Sequence, residues 1–169
     1  SITGSPYSNH LELVDAVFSV SATDITPRDS GASQDTAALS VTYSSKHTSL
    51  TGKDIYTLTL QRLLTEGVSH SFFGGVGTNV DLHGNTGVGT RYLPRSTVYL
   101  TLWGVADVKK NGKPFIDDAL VHFMITPGIR DAKHTLLSAQ EDTDIEAYLL
   151  ISARDKTSLP FDGGFLHLF

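Results

Sequence analysis

One short stretch constrains this chain more than any other: Asn111-Gly112, set between two long tracts of strand-forming residues. The favoured two-residue hairpin turn needs positive φ at both central positions. Asn and Gly accept that geometry most readily, which makes the pair the strongest short-range hairpin signal. The flanking tracts cover residues 97–108 and 114–126. Side chains alternate across a strand, so Val98, Leu100, Leu102, Gly104, Ala106 and Val108 share one side. That side is apolar and is expected to face a core. Thr97, Tyr99, Thr101, Trp103, Val105 and Asp107 share the other side, which is mixed. The return tract is apolar on both sides, with Phe115, Ala119, Val121, Phe123 and Ile125 on one and Ile116, Leu120, His122 and Met124 on the other. A strand of that kind is central or covered, so a second layer or a neighbouring loop is expected over it.

The same alternation recurs in shorter tracts. Val14, Ala16, Phe18, Val20 and Ala22 alternate against Leu13, Asp15, Val17, Ser19 and Ser21, the pattern of a half-buried strand. Residues 37–43 put Leu39, Val41 and Tyr43 on one side. In residues 54–64, Tyr56, Leu58 and Leu60 oppose Thr57, Thr59 and Gln61; the spacing of Leu60, Leu63 and Leu64 also fits a helix, but the threonine-rich start favours a strand. Residues 146–153 set Ala147, Leu149 and Ile151 against Tyr148 and Leu150, and residues 165–169 close the chain as a strand. Turn-rich runs at 24–34, 44–52 and 156–164 separate these tracts; 67–73 reads as a short strand and 129–139 is ambiguous. Residues 74–94 read as a long glycine-rich loop in which Gly-Val-Gly-Thr occurs twice, at 75–78 and 87–90, with only 80–82 able to pair briefly.

Closely spaced strands separated by turns predict an all-β fold in a single domain spanning residues 1–169. The expected form is an antiparallel β-sandwich, immunoglobulin-like or jelly-roll-like, or a barrel, with one long Gly-rich loop. The Lys-Asn-Gly-Lys-Pro hairpin followed by an apolar strand resembles the generic pattern of immunoglobulin-like or transthyretin-like sandwiches. That likeness is one of shape and carries no function.

Composition narrows the function classes. A length of 169 residues suffices for a real core. A net charge of -5 with no basic stripe speaks against a nucleic-acid partner. No run approaches the roughly 18 apolar residues of a transmembrane segment. The chain has no cysteine, which removes disulfides, thiolate catalysis and cysteine zinc sites. It begins at Ser1 rather than Met, as if a leader had been removed or the chain trimmed. Sparse lysine and abundant Ser, Thr and Gly point to a secreted or periplasmic location.

Several residues are candidates for chemistry or binding. Gly75, Gly77, Asn85 and Gly87 lie in the glycine-rich run, which is neither a Walker loop nor a dinucleotide fingerprint; the glycines serve first for positive φ and tight passage, and second for contact with a partner. Tyr99 and Trp103 share the mixed side of one strand, where exposed aromatics can stack on a sugar ring or bury in a protein partner. His70 and His83 bracket the loop, and Asp81 lies two residues before His83. If the loop folds back, His70, Asp81 and His83 converge as ligands for a divalent metal of the kind imidazole and carboxylate hold, although no local ligand spacing supports a site. Asp117-Asp118 and Glu141-Asp142-Thr143-Asp144 offer oxygens to Ca²⁺ without an EF-hand pattern. His122 reads as a core or interlayer histidine. No nucleophile elbow is present, and catalysis is not expected. The leading expectation is a non-catalytic secreted or periplasmic binding or assembly protein that recognises a protein partner through the Gly-rich loop and the aromatic strand face. The alternatives are a divalent-metal protein or metalloenzyme using His and Asp, and a carbohydrate-binding module.

Overall fold

The computed structural model describes residues 2–3, 11–26, 33–49, 52–64, 75–82, 96–152 and 165–169. These form strands and, among the described residues, no helix. In chain order they are β1 (Ile2–Thr3), β2 (Leu11–Glu12), β3 (Asp15–Thr23), β4 (Thr36–Ser49), β5 (Gly52–Leu63), β6 (Val76–Leu82), β7 (Ser96–Lys110), β8 (Lys113–Pro127), β9 (Ile129–Arg130), β10 (Leu136–Leu137), β11 (Ile145–Ser152) and β12 (Phe165–Leu168).

Ten strands form one antiparallel sheet ordered β2-β1-β12-β11-β8-β7-β5-β4-β3, with β6 also on β7; β9 and β10 make a separate two-stranded ribbon. The sheet curls into a half-barrel. One contact measures the curl. β3 and β8 are four ladder steps apart, about 19 Å in a flat sheet, yet the rings of Phe18 and Phe123 lie 5.5 Å apart. The concave side holds the main core: Leu39, Val41 and Tyr43 of β4, Tyr56 and Leu58 of β5, Leu102 and Ala106 of β7, Val121 and Phe123 of β8, Leu149 and Ile151 of β11, and Leu166 and Leu168 of β12.

The Asn-Gly hairpin is present as predicted. Asn111 (φ 51°) and Gly112 (φ 77°) form the turn, and β7 and β8 run antiparallel from Lys110–Lys113 to Leu100–Ile125. The expected cover over β8 is also present, since His122 and Met124 are buried on the side away from the main core. Register in this hairpin departs from simple alternation at two adjacent places, between Lys109 and Val108, where Phe115 is the extra residue of β8, and between Val108 and Ala106. Between the pairs Ala106–Ala119 and Val108–Ile116, Asp117 and Asp118 together oppose Asp107, and Asp118 takes φ 56°. This bulge turns Ile116 onto the core side with Ala119, so Ile116 does not share a face with His122.

Two stretches read as loops are strands. Part of the run 44–52 extends β4 to Ser49 and begins β5 at Gly52. The run 74–94 contains β6, which pairs with β7 from Val76–Leu102 to Leu82–Ser96. The reason lies in β5, which follows β7 only as far as Gly104. Leu64 N–H donates to the Trp103 carbonyl (3.0 Å), Gly75 N–H to the Leu64 carbonyl (2.7 Å), and Trp103 N–H to the Gly75 carbonyl (3.3 Å). The ladder thus passes from β5 to β6 along one edge of β7, and backbone groups that would be left unpaired are satisfied. Gly74 and the second half of the glycine-rich run, residues 83–94, lie outside the described residues.

Candidate functional site

Tyr99 and Trp103 sit on the convex side of β7 with different surroundings. Tyr99 is 41% exposed. Trp103 is half-buried, and its cross-strand partner is His122. The two rings stack at 3.7 Å between centroids. His122 Nε2 lies 2.9 Å from Thr101 Oγ1 in a buried hydrogen bond whose direction follows the imidazole tautomer. One face of the Trp103 indole is therefore already occupied. The histidine read as core or interlayer is 5% exposed and joins two strands.

The stacked aromatics continue across the convex side. Tyr148 stacks on His167 at 5.7 Å, and Phe169 packs beside both. Arg130 closes this group. Its Nε reaches both Glu146 carboxylate oxygens (2.8 and 2.7 Å), Nη1 donates to the His134 carbonyl (2.6 Å) and Nη2 to the Tyr148 hydroxyl (2.7 Å). The guanidinium lies 4.0 Å over the Phe169 ring. Burial raises the Tyr148 phenol above its ordinary value. Every donor named here has an acceptor, so the cluster reads as a clamp of the β9–β10 ribbon onto β11 and the chain end.

Gly75 and Gly77 are buried. Gly77 pairs with Thr101 inside β6. Gly75 has φ 84°, and a Cβ there would run into Ser33 Oγ and Asp35 Oδ2. Asp35 needs that space. Its Oδ1 accepts from Ile25 N–H (2.7 Å) and Thr26 N–H (2.9 Å), and its Oδ2 from Val76 N–H (2.9 Å). Burial works against the charged form, but these amides and the Ser33 hydroxyl outweigh it and hold the carboxyl at about 2. Asp35 therefore fastens the β3–β4 connection to the start of β6, a role with no local sequence signal because its partners lie about 10 and 41 residues away. Asn85 and Gly87 lie outside the described residues.

Of the metal candidates, His70 and His83 lie outside the described residues; the backbone of Asp81 pairs with Thr97. Among the described residues, no three His, Asp or Glu side chains converge. The acidic pairs have structural partners. Asp117-Asp118 forms the bulge, where the Asp118 N–H reaches Asp107 Oδ1. Asp144 Oδ2 accepts from Gln140 N–H (2.8 Å) and Glu141 N–H (3.0 Å), which closes its own turn.

Apolar exposure concentrates on and around β3, a surface the sequence reading did not select. Val17 is 74% exposed and Phe18 47%, with Leu13 and Ile25 exposed on either side of β3 in sequence and Ile55 exposed two strands away on β5. Between β3 and β11–β12 runs a trench of about 350 Å³, lined among others by Ala16, Phe18, Phe123, Ile145, Leu149 and Phe169. The alternation of β3 signalled a half-buried strand, but none of its residues is buried: Val17 lies on the convex side, and at the sheet edge even Phe18 on the concave side stays 47% exposed.

No described helix is long and apolar enough to cross a membrane. No protein family, characterised protein or solved structure matches the chain.

Proposed function

We propose that this chain is a non-catalytic binding or assembly domain whose ligand is another protein. The observation that carries the reading is the edge strand β3. Among the described residues it pairs only with β4, and it bears the most exposed large apolar side chain, Val17. An exposed sheet edge offers a row of unpaired N–H and C=O groups, and an extended segment of a partner can add to it as a further strand. The neighbouring apolar side chains supply what backbone pairing lacks, namely area removed from water. Tyr99, exposed on β7, is a second contact in the same proposal.

The same reading takes the curled sheet as a β-sandwich of immunoglobulin-like or jelly-roll-like kind, with its two arms packed through Phe18 and Phe123. It places the single domain outside the cytosol, on the strength of sparse lysine and abundant Ser, Thr and Gly. Carbohydrate stacking on Trp103 is less favoured because His122 covers one face of the indole. The test is amide exchange on the natively purified chain with and without whatever co-purifies with it. The β3 amides should gain protection, and Val17→Lys should release the partner while the circular dichroism of the strands is unchanged. A partner that stays bound to Val17→Lys and Tyr99→Ala alike would overturn the reading.

A further inference from the structure

We infer that the occupant of the β3 edge is a second copy of this chain, paired antiparallel through β3 about a two-fold axis at Ser19; the inference rests on the binding reading above and names its partner. Two observations carry it. The first is that β3 lacks the usual protection of an edge strand. Such strands are commonly short, bulged, or studded with lysine or proline. β3 has nine residues in unbroken register with β4, from Asp15–Ser44 to Thr23–Thr36. It contains no Pro, Lys or Arg. By contrast β2, at the other end of the sheet, has two residues.

The second observation is that β3 is its own complement. Residues facing each other across a two-fold axis normal to a sheet must lie on the same side, which an axis at Ser19 satisfies. Phe18 then meets Val20 of the other copy, and Ala16 meets Ala22, all on the concave side. On the convex side Val17 meets Ser21, Asp15 meets Thr23, and Ser19 meets itself. Apolar residues oppose apolar ones on the side that continues the core. The only charge in the strand, Asp15, faces a hydroxyl rather than a second carboxylate, and it is already paired with Lys53 at 3.3 Å. No heterologous partner is needed to explain a strand that fits itself. A contact built mainly from one strand per copy is small, so the dimer dissociates on dilution.

The test is sedimentation equilibrium on the native chain and on charge variants of Ser19, an exposed position that the fold does not rely on. The native chain should show a concentration-dependent dimer. Ser19→Lys sets two like charges against each other on the axis and should weaken self-association by about tenfold or more. Ser19→Asp should do the same, and an equimolar mixture of the two variants should restore the dimer as a heterodimer. Because the chain has no cysteine, Ser19→Cys gives a second readout: it should cross-link to itself under mild oxidation, and Thr23→Cys should not. A native chain that stays monomeric at its highest soluble concentration overturns the inference, as does a dimer that Ser19→Lys leaves intact. If the native chain is monomeric while Val17→Lys still releases a co-purifying protein, self-pairing fails and the binding reading survives. If neither self-association nor partner binding responds to β3 variants, both fail.

Discussion

At the scale of single residues, Asp35 shows how one side chain organises a region. Its two oxygens take three backbone N–H groups from two segments, residues 25–26 and Val76. Charged acceptors strengthen such bonds, and removing them leaves backbone donors without partners. Asp35→Asn should therefore cost about 1–2 kcal/mol at neutral pH. The pH dependence gives a sharper check. The folded carboxyl sits near 2, below its ordinary value of 3.8. A carboxyl depressed in the folded state contributes stability that is complete above its unfolded pKa and is lost as pH falls through its folded one. The native chain should lose stability relative to Asp35→Asn between about pH 4 and pH 2, so that the two denaturant-midpoint curves converge in that window. Curves that stay parallel across it would assign the acid sensitivity to other carboxyls. The arrangement also explains Gly75, where a side chain would occupy the space of Ser33 and Asp35.

At the scale of elements, the β7–β8 hairpin was legible because its instructions are local: an Asn-Gly turn and alternating tracts on either side. What the sequence could not specify is the pairing beyond the bulge. A regular ladder counted back from the Lys110–Lys113 pair would put Trp103 opposite Leu120. The register shifts near Asp107 move the partner to His122 instead, and with it create the buried Trp103–His122–Thr101 contact. β6 was illegible for a related reason. Glycine has weak strand preference, and β6 exists because β5 leaves the far half of β7 open. Gly104 marks that handover. β5 carries one extra residue between the Leu60–Ala106 and Arg62–Val105 pairs, which brings the Arg62 carbonyl oxygen to 2.7 Å from where a Cβ on Gly104 would lie, with Leu60 Cδ1 closer still. A methyl group must push backbone here, not merely a flexible side-chain tip. Gly104→Ala should destabilise the chain by about 1–3 kcal/mol in urea titration, whereas Gly112→Ala, with open space around it but φ 77°, should cost about 1 kcal/mol from backbone strain alone.

At the scale of the whole molecule, the order of strands sets a gradient of stability. β7 and β8 lie in the middle of the sheet, and each is covered on both sides: Leu102 and Phe123 face the main core, while Thr101, Val105, His122 and Met124 are buried on the convex side. β11 is held by two ladders and by the Arg130–Glu146 pair. β3 has one ladder and mostly exposed side chains. Opening a segment costs free energy in proportion to the buried contacts it breaks, so exchange of backbone amides should follow this ranking. In dilute solution, β8 and β11 amides should exchange slowest, β4 and β5 at intermediate rates, and β3 fastest. The comparison within β3 is the telling part. Alternate amides of β3 point toward β4 and are bonded in the ladder, while the others face the open edge. The first set should be protected to the extent that β3 opens as a unit, and the second should exchange almost freely. Raising the protein concentration should protect the edge-facing set if a second copy adds there, with little effect on β8, whose partners are all internal. Uniform protection along β3 in dilute solution would mean that its outer edge is covered within the single chain, and the curl of the sheet would then have to be drawn as a closed barrel.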